Sequence, residues 1–204
     1  MSSDPFAPTP LFAFPLFSSL VNAADQHKGP LVSEILALKA QIPGVKRSNR
    51  NAWHSGDEFV ARHSNHVDWV LGNGLTFAKK ALGRYYGDWA ALDLKIGHFW
   101  ANVVGKEGWN APHHHFPTHW SMVYYIQVGK VGTSSEDMNG MIEFLNPTPW
   151  QAVWNRSGNF AMAPKDGLFI LFPASLLHFV YPYTGDEPRV SMAWNFNVVP
   201  KTAG

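Results

Sequence analysis

The stretch Asn110-Ala-Pro-His-His-His-Phe-Pro constrains this chain more than any other, because three consecutive histidines beside a proline rarely serve packing and read as half of a metal site. The other half lies further on. Beyond His119 the sequence holds one more histidine, in Leu177-His178-Phe179, so a fold using both must bring these distant segments together. Arg189, Val190 and Ser191 follow His178 in the spacing His-x10-Arg-x-Ser.

Side chains at i and i+2 of a strand face the same way. His113 and His115 therefore form a pair for one ion, His114 points to the opposite face, and His178 completes the set. His119 lies outside the pair and is a candidate to support a ligand from behind. Two histidines and one carboxylate are a common arrangement around non-heme iron, with three positions left open. Here the slot two residues after the first histidine holds His115, so either three neutral imidazoles bind the ion or a carboxylate joins from elsewhere. Glu143, in Met141-Ile-Glu-Phe, is the carboxylate candidate, and its competing reading is a solvent-facing strand residue. Three histidines are also a catalytic zinc set, so the ligands alone leave the metal open.

Arg189 and Ser191 are likewise two apart on an expected strand, and parity allows both to face an interior. A guanidinium fork matches a carboxylate in two-pronged geometry, and a serine hydroxyl beside it adds a hydrogen bond. A dicarboxylic acid held by Arg189 at one end and chelating a metal at the other would use both features.

At 204 residues the chain is expected to form a single domain over 1–204. Sixteen Lys and Arg against 15 Asp and Glu leave a formal charge of +1, which gives no strong field toward nucleic acid or anionic lipid. There is no cysteine, which removes disulfides and thiolate ligands and fits a reducing, cytoplasmic compartment. Nine Trp and 14 Phe point to an aromatic-rich core or cavity. The apolar run Leu11 to Phe17 is too short to span a bilayer and contains Pro15, and it lacks the basic start of a secretory signal. It reads as an edge strand.

Leu31, Ile35, Leu38 and Ile42 recur three or four apart before Pro43-Gly44, which predicts an amphipathic helix. The basic stretch Lys46 to Asn51 reads as a loop. A second helical region is expected over Asp57 to Tyr86, broken near Gly72 and Gly74. From Leu92 the pattern changes to short runs rich in Val, Ile, Phe, Tyr and Trp. Strands are expected at Leu94 to Val103, Trp120 to Val128, Met141 to Phe144, Gly167 to Phe172, His178 to Tyr183 and Arg189 to Val198. Residues 1–91 would then be a mostly helical support for a β region over 92–204. So many short strands require a sandwich or closed barrel, and a jelly roll is the version that commonly carries a site in its mouth.

Arg47-Ser-Asn-Arg-Asn-Ala-Trp-His-Ser, Pro112-His-His-His with Trp120-Ser-Met-Val-Tyr-Tyr-Ile, and Gly167-Leu-Phe-Ile-Leu-Phe-Pro-Ala-Ser-Leu-Leu-His with Glu187-Pro-Arg-Val-Ser-Met-Ala-Trp-Asn-Phe carry a resemblance. With them the chain resembles the 2-oxoglutarate/Fe(II)-dependent oxygenase superfamily, and within it a prolyl-hydroxylase-like family of bacteria and phages. The resemblance implies a double-stranded β-helix (jelly roll, cupin-like) with N-terminal helices. It implies iron at His113, His115 and His178, and 2-oxoglutarate held by Arg189 and Ser191, with Asn102 and Tyr124 as further cosubstrate contacts. The implied reaction consumes 2-oxoglutarate and O2, releases succinate and CO2 and hydroxylates an unactivated C–H bond. Met122 departs from the family, which tends to have glycine there, and is expected to narrow the pocket.

Gly167-x5-Pro173-x-Ser175-x2-His178 also resembles a cupin motif, with serine where glycine is usual. The alternative is thus a cupin-type metal enzyme or small-ligand binding protein that does not use 2-oxoglutarate. Cupins usually carry a glutamate soon after the His-x-His, and none occurs between His115 and Glu136, whereas Arg189-x-Ser191 favours the oxygenase. A small-molecule or peptidyl substrate is expected, with no nucleic acid and no membrane, and a homodimer is open. Substrate choice is expected to lie in the pocket lining and in loops such as Val131 to Asn139.

Overall fold

The change of pattern at Leu92 is where the chain turns from helices to sheet. In the computed structural model, which describes residues 13–21, 25–59, 61–62, 64–148 and 158–201, helix α1 spans Asp25–Gln41 and buries Leu31, Ile35 and Leu38. The expected periodicity is there, but the helix starts earlier, at Asp25. Helix α2 spans Asn65–Tyr85, and the Ser64 hydroxyl oxygen caps it by accepting the Val67 N–H at 3.2 Å.

The break expected near Gly72 and Gly74 does not occur, because α2 runs through both. Gly74 serves close approach instead. A Cβ there would lie 2.3 Å from the Trp194 ring and 3.2 Å from Met122 Sδ.

Nine strands run through the described residues: β1 Phe17–Leu20, β2 Asn49–His54, β3 Leu92–His113, β4 Trp120–Gln127, β5 Ile142–Phe144, β6 Phe160–Met162, β7 Leu168–Pro173, β8 His178–Tyr183 and β9 Arg189–Pro200. Their ladder order is β1-β7-β4-β9-β3-β8-β5-β6, with β2 also paired to β3, and every pairing is antiparallel. The long β3 serves both halves of this order. Residues 92–104 pair with β9, while residues 108–113 pair with β8 after register shifts. The first half of β3 thus lies with β9, β4 and β7, and its second half with β8, β5 and β6. Strands β6, β7, β8 and β9 alternate between two layers, which is the winding of a jelly-roll double-stranded β-helix.

Side-chain parity sorts the larger layer into two faces. Met122, Tyr124, Phe169, Met192, Trp194 and Phe196 join Leu31, Ile35, Val67, Val70 and Ala78 in one apolar cluster under the helices. Tyr125, Ile170 and Phe172 join Ile142 and Phe144 in a second cluster between the layers. With both faces covered, these strands read as nearly continuous apolar runs.

Several segments differ from the expectations, and β3 for one runs ten residues past Val103 to His113. The edge strand β1 begins at Phe17, not Leu11, since Pro15 has no N–H to give a ladder, and Leu11 and Phe12 lie outside the described residues. The stretch read as a basic loop holds β2, whose Asn and Arg residues are poor strand formers. It is a strand because the edge of β3 supplies partners, Asn49 opposite Asn110 and His54 opposite Asn102. Asn51 takes φ 48° at the bulge between them. Strand β6, only three residues long, had no detectable period.

Candidate metal centre and cosubstrate pocket

His113 is the last residue of β3 and stands opposite His178, the first of β8. His115 lies just beyond the strand, where its backbone N–H donates to the Ala174 carbonyl at 2.7 Å and fixes the turn. The three rings converge, with centroids 5.0 Å (His113 to His115), 4.4 Å (His113 to His178) and 5.2 Å (His115 to His178) apart. One ligand nitrogen from each lies within 4.8 Å of the others, so the set can hold a single metal ion.

Hydrogen bonds set the tautomers of two rings. His113 Nδ1 lies 2.8 Å from the Ala111 carbonyl and His178 Nδ1 lies 2.9 Å from the Leu176 carbonyl. A carbonyl only accepts, so Nδ1 carries the proton and Nε2 keeps a lone pair for a metal. Burial lowers all three pKa values, His178 well below the usual imidazole range and His115 to about 3, helped by the neighbouring imidazoles. The rings are neutral donors at ordinary pH, as metal ligation requires.

Glu143 does not join them. It sits on the opposite face of β5 from Ile142 and Phe144, and its carboxylate accepts from Asn159 Nδ2 at 2.6 Å and from the Tyr181 hydroxyl. At 7% exposed it is not solvent-facing either. It is a buried carboxylate satisfied by two donors. His119 serves the sheet, its Nδ1 accepting the Val198 N–H at 2.9 Å.

A cavity of about 460 Å³ opens between the layers, lined by the triad together with Asn102, Tyr125, Arg189 and Ser191. Asn102 and Ser191 are direct partners across β3 and β9. Arg189 is 4% exposed, donates to the Gly140 carbonyl at 2.7 Å and lies over the Tyr125 ring at 5.2 Å. No carboxylate pairs with it among the described residues. Burial lowers its pKa, yet a guanidinium stays charged, so an unpaired cation faces the cavity.

Tyr124 is not in this cavity. It packs beneath the helices against Trp69 and Phe169, and the neighbouring Tyr125 lines the pocket in its place. Sequence reasoning missed the switch because both faces of β4 are apolar. Ser121, whose hydroxyl donates to Asn195 Oδ1 at 2.6 Å on the cavity side, was the available marker of parity. Met122 shares the face of Tyr124, so it fills space beside Gly74 and does not narrow the pocket. The loop Val131 to Asn139 does not line the cavity. Asn139 ties it down, donating to the Lys130 carbonyl and accepting the Thr184 N–H, both at 2.8 Å.

Among the described residues no helix is long and apolar enough to cross a membrane. A comparison with curated proteins found no match. The chain's fold is similar to that of the non-heme alpha ketoglutarate dependent epimerase SnoN from nogalamycin biosynthesis, with 15% identity, 93% of this chain and 81% of that one covered, and a TM-score of 0.65. It is similar to a Pseudomonas putida prolyl-4-hydroxylase, at 14% identity, 89% and 92% coverage and a TM-score of 0.57. HygX from Streptomyces hygroscopicus, solved with nickel and 2-oxoglutarate bound, is 9% identical over 89% of this chain and 82% of its own, with a TM-score of 0.59. At such identities the likeness concerns the fold. Residues 98–195, which hold the whole triad and Arg189, match the sequence model of the family described as "Putative 2OG-Fe(II) oxygenase". That match, on a double-stranded β-helix built around converging histidines, likens this part of the chain to the 2-oxoglutarate- and Fe(II)-dependent oxygenases.

Proposed function

We propose that His113, His115 and His178 hold the Fe(II), that Arg189 and Ser191 receive the far carboxylate of 2-oxoglutarate, and that the reaction hydroxylates a C–H bond of a small molecule or peptide. The observation that carries this reading is Arg189, a buried guanidinium with no carboxylate of its own, facing the same cavity as three neutral imidazoles. A cupin-like enzyme that does not use 2-oxoglutarate has no evident need for such a cation.

Bound together, Fe(II), 2-oxoglutarate and O2 supply an oxidant strong enough to break a C–H bond, with succinate and CO2 as by-products. The chain's own residues do the positioning. The Ala111 and Leu176 carbonyls hold the His113 and His178 rings with Nε2 toward the ion. The Gly140 carbonyl and Tyr125 ring fix the guanidinium, which leaves its remaining N–H groups for a carboxylate, with the Ser191 hydroxyl alongside. Asn102, opposite Ser191, offers an amide to the same ligand. Phe144 and Phe172 pack on the His178 ring, at 5.8 and 4.8 Å between centroids, and keep bulk water from that side of the triad.

The chain works as one domain in this reading, supported by the apolar cluster that α1 and α2 share with the larger layer. The absence of cysteine supports a reducing, cytoplasmic setting. The test is calorimetric titration of 2-oxoglutarate into the anaerobic Fe(II) protein, with succinate release measured in air. Saturable binding that depends on iron, with slow succinate release in the absence of substrate, is the expected result. Neither binding nor release would leave the cupin-like reading in its place.

A further inference from the structure

The segment Arg47 to Ser55, which starts before β2 and runs through it, divides into residues that build a wall and residues that use it. Asn49 is the clamp: its Oδ1 accepts the Arg47 N–H at 2.7 Å, and its Nδ2 donates to the Val45 and Ala52 carbonyls at 3.2 and 2.7 Å. Trp53 Nε1 donates to the Ile42 carbonyl at 3.1 Å. Buried Ser55 Oγ accepts the Ala101 N–H at 3.0 Å. Arg50 holds the Arg47 and Asn49 carbonyls at 2.9 and 3.0 Å, so the backbone of Arg47 is tied from both sides.

Asn51 turns away to donate to the Lys106 carbonyl at 3.0 Å, and three other side chains of the segment, Arg47, Ser48 and His54, line the cavity that holds the triad. Each presents a donor. The Arg47 guanidinium has no hydrogen bond or ion pair among the described residues. Ser48 Oγ accepts from Asn110 Nδ2 at 3.2 Å, which leaves its O–H free to donate. His54 Nδ1 accepts the Gly56 N–H at 3.0 Å, so its proton must sit on Nε2. That N–H has no partner among the described residues. Burial, reinforced by the positive charge of Arg47, lowers the His54 pKa to about 4 and keeps this neutral tautomer at ordinary pH.

The site is adjacent to the triad. The His54 ring stacks on Trp100, at 5.4 Å between centroids and 10° between planes, and Trp100 lies 5.5 Å from the His115 ring. The surroundings are positive. Arg47 also lines a neighbouring groove with Lys39, Lys46, Arg50 and Lys106, and no acidic residue lines that groove. Asp57, the one carboxylate lining the main cavity, is exposed and lies 3.2 Å from His98.

A wall with three donors, in a mostly positive field, suits an anion. We propose that Arg47, Ser48 and His54 form a recognition site for an oxyanion, carboxylate or phosphate, carried by the substrate. Held there, the rest of the substrate lies over Trp100 toward His115. The assignment rests on the reading of the cavity as an oxygenase site, and it deepens that reading by naming the charge class of the substrate.

The test uses full-length protein loaded with Zn(II) in place of iron, so that nothing turns over, and saturated with 2-oxoglutarate, so that Arg189 is already occupied. Three probes of one shape are titrated: phenylacetate, phenyl phosphate and phenylacetamide. At least one anion should bind about tenfold or more tightly than the amide, and which of the two binds better identifies the carboxylate or phosphate source. Arg47→Gln and His54→Gln should each erase that preference, and Arg47→Lys should restore part of it. Arg47 is exposed and its guanidinium supports nothing else, so the Arg47→Gln protein should fold as wild type and keep its affinity for 2-oxoglutarate. Equal binding of amide and anions, or a preference that survives Arg47→Gln, overturns the proposal. Failure of the wild type to take 2-oxoglutarate would instead count against the oxygenase reading, and the anion titration repeated without it would still judge Arg47.

Discussion

His113 and His178 stand opposite each other in the β3–β8 ladder, with ring centroids 4.4 Å apart and each Nδ1 engaged by the carbonyl two residues before it. Two of the three nitrogens are thereby set by one ladder, before any metal binds. Alanine at His113, His115 or His178 should remove most bound iron. His114→Ala should stay near wild type, because the His114 ring only accepts the Phe116 N–H. Metal content of the four purified variants is the measurement, and an equal loss in His114→Ala would refute the assignment.

The third ligand invites a substitution in the other direction. His115→Asp supplies a carboxylate where two-histidine, one-carboxylate sites have one, and it should retain iron. Glu143→Gln should leave iron content unchanged and lower stability, since the Asn159 and Tyr181 donors lose a charged acceptor in a buried place. The expected cost is about 1.5 to 3 kcal/mol, read from urea unfolding. A loss of iron with no loss of stability would put Glu143 in the metal site after all.

Much of this site was legible because parity is strict in a strand. On β9 the cavity-facing Arg189 and Ser191 alternate with Val190 and Met192, which face the helices, and the period of two follows directly from the residues. On β4 the same rule has no contrast to work on and does not separate Tyr124 from Tyr125, which lines the pocket. The place of His54 is hidden for another reason. It lies in a segment whose polar composition resembles a loop, and only the edge of β3 makes it a strand. The wrong expectation at Gly74 came from treating glycine as a local breaker when its missing Cβ answers Trp194, far along the chain.

That glycine pair gives an internal comparison within one helix. A Cβ at Gly72 meets nothing within 4 Å, whereas one at Gly74 would overlap the Trp194 ring. Gly72→Ala should stabilise the protein by up to about 1 kcal/mol through helix propensity. Gly74→Ala gains the same propensity but must displace a fully buried indole, and it should destabilise by about 1 to 3 kcal/mol on balance. Urea unfolding of both variants decides it, and equal effects would mean that α2 does not pack on β9 as described.

The final prediction concerns Arg189. The guanidinium donates to the Gly140 carbonyl and is steadied by Tyr125, so a carboxylate in the cavity would meet its remaining N–H groups as a fixed fork. A charge-assisted hydrogen bond contributes about 1.5 to 3 kcal/mol, and leaving the ligand's carboxylate buried and unpaired costs more. Arg189→Ala should therefore weaken 2-oxoglutarate by about ten- to several-hundredfold while iron stays bound. Arg189→Lys should recover only part of this, since an ammonium supplies the charge without the planar fork. Ser191→Ala removes one neutral hydrogen bond and should cost about 1 kcal/mol. Tyr125→Phe keeps the ring under the guanidinium, so its loss should be smaller than that of Arg189→Ala, whereas Tyr124→Phe, on the far side of the sheet, should leave affinity unchanged. Anaerobic calorimetry on the Fe(II) proteins measures each value. An Arg189→Ala protein that binds 2-oxoglutarate as wild type does would move the cosubstrate away from β9.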